Sequence, residues 1–100
     1  MDIKKTNQNG VLTFELEGRL DSVSAPELEA AVNESINDAG SVVFDFTKLE
    51  YLSSAGLRIL LTTQQLMEEK GLPDVTVKGA NSVIKSAFEV TGFNNLLNVE

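Results

Sequence analysis

The stretch SVVFDFTKLEYLSSAGLRILL, Ser41 to Leu61, holds a strand signal and a helix signal joined by a polar connection. SVVFDF is a compact apolar run rich in β-formers, the pattern of a central strand. TKLEYLSSAG reads as the connection that follows it. From Ser54 to about Lys70 the period changes. Leu57, Leu60, Leu61 and Met67 share one helical stripe, and Ile59 and Leu66 widen it. Gly71 stops this helix and Pro73 breaks the chain beyond it.

Upstream, Ile3 to Gln8 is a polar strand candidate, and Asn9-Gly10 supplies a two-residue turn that tolerates positive φ. VLTFELE then alternates, with Leu12, Phe14 and Leu16 on one face, as in a strand buried on one side. Gly18 and Asp21 mark a loop. Ser24 and Glu27 have the spacing of a capping box, and Pro26 suits a first helical turn. Leu28, Ala31, Val32 and Ile36 fall at helical spacing, which predicts a helix to about Asp38, ended by Gly40. Downstream, DVTVKG is a short strand. A third helix covers about Asn81 to Val90, with Val83, Ile84, Ala87 and Phe88 inward and Gly92 after it. NLLNVE is available for a short last strand. The order ββαβαβα, with that optional final strand, predicts one α/β domain over residues 1–100. Its mixed sheet of four to five strands is covered by helices.

Composition narrows the function. A chain of 100 residues with a net charge of -7 repels phosphate backbones, so neither nucleic acid nor an anionic membrane is an expected partner. The apolar runs are too short to cross a bilayer, and MDIKKTNQNG has no signal-peptide core, so the expected location is cytoplasmic. There is no histidine and no cysteine. Ser-His-Asp and Cys-His sites cannot be built, and neither can the usual zinc sites. The carboxylates, such as Glu27, Glu29 and Glu34, are scattered over helix faces. No Gly-rich phosphate loop is present. The chain is therefore expected to be neither an enzyme nor the holder of a cofactor or metal.

Ser53 and Ser54 are the residues that stand out. Either can serve as a helix N-cap, accepting a bond from a first-turn amide. Either can also be a modified residue. As a nucleophile Ser54 lacks an activating base, and nothing places Lys48 beside it. As a phosphoryl acceptor it needs none, because a kinase supplies the base, the metal and the nucleotide.

The segment VVFDFTKLEYLSSAGLRILL, with the GRLD loop and the strand–helix order, resembles the STAS family. This is the domain of anti-sigma factor antagonists, and it also occurs in sulfate transporters. The resemblance spans nearly the whole chain and lies closest to the antagonist branch. It implies a partner switch. The antagonist binds an anti-sigma factor that is a serine kinase, and a sigma factor is released. The kinase phosphorylates a serine at the start of the second long helix, the complex dissociates, and a serine phosphatase resets it. Aligned on Gly56, the common Asp-Ser-Ser-Gly pattern puts Ser53 at the aspartate, Ser54 at the phosphorylated serine and Ala55 at the second serine. Ser53 departs from the pattern and is an alternative target. On this fold Asp21 and Asp45 are expected to flank the serine loop. They would either contact the kinase or act as a turn residue and a strand-end acceptor, and both readings stay open here. Thr47 reads as a turn residue. Ala55 and Gly56 are expected to keep the surface low for the partner, with Arg58 exposed beside them. The family also includes cytosolic accessory subunits of membrane transporters, for example in lipid transport. That second role needs no phosphorylation and would look the same at a capping serine.

Overall fold

A computed structural model describes all residues, 1–100. Strand β1 (Asp2–Gln8) turns at Asn9-Gly10 into β2 (Val11–Leu20). Helix α1 (Ala25–Ser35) follows and tightens into a 3-10 turn at Ile36–Asp38. Then come β3 (Ser41–Leu52), α2 (Ser54–Glu69), β4 (Thr76–Lys78), α3 (Ser82–Thr91), a 3-10 turn at Phe93–Asn95, and β5 (Asn98–Val99). The sheet order is β1-β2-β3-β4-β5. The first pair is antiparallel and the others are parallel. The predicted α/β order holds, and the final strand is formed.

The hairpin forms because Asn9 (φ 55°) and Gly10 (φ 83°) occupy the left-handed region, as a two-residue turn of matching twist requires. The β2 alternation then sends Leu12, Phe14 and Leu16 to the helix side. There they join Val42, Phe44 and Phe46 of β3 in one core of 22 buried residues that draws on all three helices. Phe14 and Phe44 stack with ring centroids 5.4 Å apart.

Several local expectations are corrected. TKLEYL is not a connection but the second half of β3, and GRL extends β2 rather than opening a loop. Two register shifts explain this, between Glu15 and Glu17 and between Gly18 and Arg19. Extra residues on β3 break the simple alternation, yet Leu49 still reaches the core. Gly18, at φ 108°, lies at the second irregularity. The capping box at Ser24 does not form. Its hydroxyl instead donates to the Arg19 carbonyl (2.7 Å) and accepts from the Asp21 amide (3.0 Å). In α3, Ile84 and Phe88 are buried, but Val83 is 70% exposed because it lies on the margin of that stripe.

The buried seam of α2 is Gly56, Ile59, Leu60, Thr63, Gln64 and Met67, with Leu57, Leu61 and Leu66 half-buried. The seam is thus turned from the leucine stripe toward two polar residues. Thr63 satisfies its hydroxyl on the Ile59 carbonyl (2.7 Å). Gln64 accepts from the Val75 amide (2.7 Å) and donates to Asp74 (2.8 Å) and Glu68 (3.1 Å), so it holds the entry to β4. Truncating it leaves a buried amide unpaired and a small void. Gln64→Ala should therefore cost about 2–4 kcal/mol. Thermal unfolding should show this as a drop of roughly 10 °C or more.

Candidate functional site

The site is built where β2 and β3 end side by side. Leu20 pairs with Leu52. One residue on, the Ser53 amide donates to the Leu20 carbonyl (2.9 Å), and the Ser53 carbonyl accepts from Leu57 (3.0 Å) to start α2. The β2–α1 loop and the N-terminus of α2 therefore share one corner, at the carboxyl ends of parallel strands, where α/β sheets commonly bind ligands.

Gly56 fixes how closely α2 approaches. A β-carbon there would stand 2.5 Å from Leu52 Cδ1 and 2.8 Å from Leu20 Cγ. Its role faces inward, and the expectation that it keeps the outer surface low is corrected accordingly. Ala55 is half-buried.

The two serines separate sharply. Ser53 is the N-cap residue, with extended backbone (φ -92°, ψ 175°), but its side chain makes no capping bond. Its Oγ is buried and has no hydrogen-bond partner. Ser54 is the first residue of α2 and is exposed. Arg58 is exposed one turn later, on the wall of a groove of about 310 Å³ between α1 and α2. Ser22, Pro26, Glu29 and Asn33 line the groove as well. Nothing in the sequence flagged it, because it exists only once the two helices pack.

Asp21 belongs to this corner as its loop builder. Its Oδ1 accepts from the Val23 amide (3.0 Å), the Ser24 amide (3.1 Å) and the Ser24 hydroxyl (3.2 Å). The Ser24 amide is the main cause that holds its carboxyl below the usual range. The Val23 amide, the Ser24 hydroxyl and the Arg19 charge add to that, and together they outweigh burial. Arg19 itself lies over the Tyr51 ring, 4.3 Å from its centroid.

Asp45 does not flank the serine loop. It pairs with Glu15, five residues back along β2 from Leu20, or about 17 Å at a strand's rise. Its Oδ1 accepts from the Thr47 amide (3.0 Å) and the Thr47 hydroxyl (2.6 Å). Burial would raise its pKa, but the two Thr47 bonds, with Lys78 and Lys48, bring it below the usual value. Thr47 in turn packs against Gly79, where no β-carbon fits. Asp45 faces a separate hollow of about 320 Å³ on the sheet face, beside Lys4, Glu15, Glu17 and Lys48. Lys48 reaches Glu17 there (3.9 Å).

The model of the STAS domain matches residues 2–100. The chain belongs to the STAS family. It is 34% identical over 94 residues to BtrV of Bordetella bronchiseptica, provisionally named an anti-sigma factor antagonist, covering 91% of this chain and 78% of that one. It is 31% identical over 75 residues to RsfB of Mycobacterium tuberculosis, named an anti-sigma-F factor antagonist, covering 74% of this chain and 62% of RsfB. The match thus spans less than two thirds of RsfB's length. The STAS chain also shares its fold with the anti-sigma factor antagonist SpoIIAA. The TM-score is 0.81 to the unphosphorylated form (13% identity, 99% of this chain and 87% of that one). It is 0.80 to the phosphorylated form from Bacillus (14% identity, 99% and 91%).

The unpaired Ser53 hydroxyl makes a direct prediction for this STAS domain. A working N-cap lost to alanine costs about 1 kcal/mol. Ser53→Ala removes no bond here, so denaturant unfolding should find stability unchanged within about 0.5 kcal/mol, or raised.

Proposed function

We propose that this chain is an anti-sigma factor antagonist that docks on an anti-sigma factor serine kinase through the Ser54 corner, and that phosphorylation of Ser54 ends the docking. The observation that carries this reading is the contrast between the serines. Ser54 is exposed at the first position of α2, whereas the Ser53 hydroxyl is buried. A kinase active site must reach the hydroxyl it modifies, so Ser54 is the better target of the two. The names of BtrV and RsfB support the antagonist role. The docking surface comprises Asp21, Ser53, Ser54, Ala55 and Arg58. Gly56 sets its shape from beneath, and Asp45 lies outside it.

In the proposed reaction the kinase transfers the γ-phosphoryl group of a nucleoside triphosphate to Ser54 Oγ. The serine proton passes to the kinase's base, and the nucleoside diphosphate leaves. A serine phosphatase returns the hydroxyl by adding water across the phosphoester, releasing inorganic phosphate. The added group brings about -1.5 to -2 charges. A helix N-terminus carries a partial positive charge and free amides, so this fold tolerates a phosphate there. The damage falls on the interface, where a hydrated dianion meets a packed partner. The phosphorylated form of SpoIIAA, with the same fold, is consistent with that view. No helix is long and apolar enough to cross a membrane, and the proposed partners place the chain in the cytoplasm.

A paired pull-down from lysate of the native cell tests the reading, with wild type and Ser54→Glu as baits and mass spectrometry as readout. Wild type should capture an ATP-binding serine kinase that the Glu variant loses. Equal capture of a transporter ATPase or permease by both baits would replace this reading with an accessory-subunit role.

A further inference from the structure

Arg58 is the one cation lining the groove beside Ser54, and it makes no ion pair, hydrogen bond or ring contact. It follows Ser54 by four residues on α2, a spacing that puts β-carbons about 5–6 Å apart. Helical side chains tilt toward the helix N-terminus, and a long one covers the turn before its own Cα. The natural reach of this guanidinium is therefore back over Ser54. Two carboxylates share the corner. Glu29 of α1 lines the same groove but is not in ion-pair contact with Arg58. Asp21 Oδ1 accepts from Val23 and Ser24, and Asp21 is not in ion-pair contact with Arg58 either. Arg19, the other cation of the corner, is committed to the Tyr51 ring.

We propose that Arg58 receives the phosphoryl group carried by Ser54, and that this contact withdraws the guanidinium from the docking face. The proposal rests on Ser54 being the modified residue. A guanidinium suits a phosphate because its planar fork gives two parallel bonds. In the unmodified chain Arg58 is free to meet an acidic group of the partner. In the phosphorylated chain it folds back one turn. One event then adds an anion to the surface and removes a cation from it, which a phosphate alone would not do.

The test needs no kinase. The full chain is made with phosphoserine incorporated at position 54, and the phosphate is titrated by ³¹P NMR. A neighbouring cation favours the dianion, so it lowers the second phosphate pKa from its usual value near 6. Relative to wild type, Arg58→Gln should raise that pKa by about half a unit at low salt. Arg58→Lys should recover part of the shift, Arg19→Gln should leave it unchanged, and 1 M salt should erase most of the difference. Matching titrations of wild type and Arg58→Gln at low salt would overturn the proposal, as would a shift produced by Arg19→Gln alone. The unmodified Arg58→Gln chain should keep the wild-type amide spectrum, since its side chain is exposed. A shifted pKa with no phosphate-sensitive kinase in the pull-down would sink the partner switch and leave the Arg58 contact standing. The reverse pattern would leave the switch and remove the contact.

Discussion

The contact of Gly56 with Leu20 and Leu52 is the constraint on which the Ser53–Ser54 corner depends. Parallel pairing brings the carboxyl ends of β2 and β3 together, and the Ser53 amide closes on the Leu20 carbonyl. A helix can leave such an edge at many angles. Here the absence of one β-carbon lets α2 settle directly on the two leucines. That seat sets the Asp21 loop beside the first turn of α2, leaves Ser54 facing out, and turns the Ser53 hydroxyl into the protein. The orphan hydroxyl is a cost of the arrangement, since a buried polar group without a partner is destabilising. At the same time it leaves Ser54 as the exposed hydroxyl of the Ser53–Ser54 pair.

Much of this was legible in the sequence, and the reasons are local. Asn9-Gly10 names its own turn, and VLTFELE alternates cleanly. The period change after Ser54 marks α2, and Gly92 stops α3 with positive φ. What failed depended on partners distant in sequence. β3 ran on through TKLEYL because its extra residues are absorbed against β2, which no window along one strand reveals. The α2 seam includes Gln64 because a buried amide at Val75 requires an acceptor, so a leucine count misplaced it. Val83 falls inward by period alone but sits on the rim of its stripe. Asp45 would lie near the serines only if its strand ended just after it. The longer strand runs on for seven residues beyond it, to Leu52, before the serines begin.

The chemistry of the corner fits the proposed role as a receiver of modification. No histidine is present to activate a hydroxyl, and the lysine nearest in sequence is engaged by Glu17 on the sheet face. Asp21 Oδ1 is bonded within its own loop, and the lowered pKa makes the carboxylate a weak base. What remains at the surface is an accessible hydroxyl, an unpaired guanidinium and a groove. Such a set is what the proposed docking and its control by charge require. A change of nearly two units of charge at one exposed position can shift an interface by several kcal/mol without touching the core beneath it.

The most direct test of a switch that acts on docking rather than on folding is the amide NMR spectrum of the chain carrying phosphoserine at position 54. Shifts confined to residues 20–30 and 52–62, with the amides of Phe14, Phe44 and Val77 unmoved, are the predicted result. Collapse of the dispersed spectrum, or shifts spread through β4 and α3, would show that the phosphate acts by unfolding the domain, and the docking switch would be contradicted.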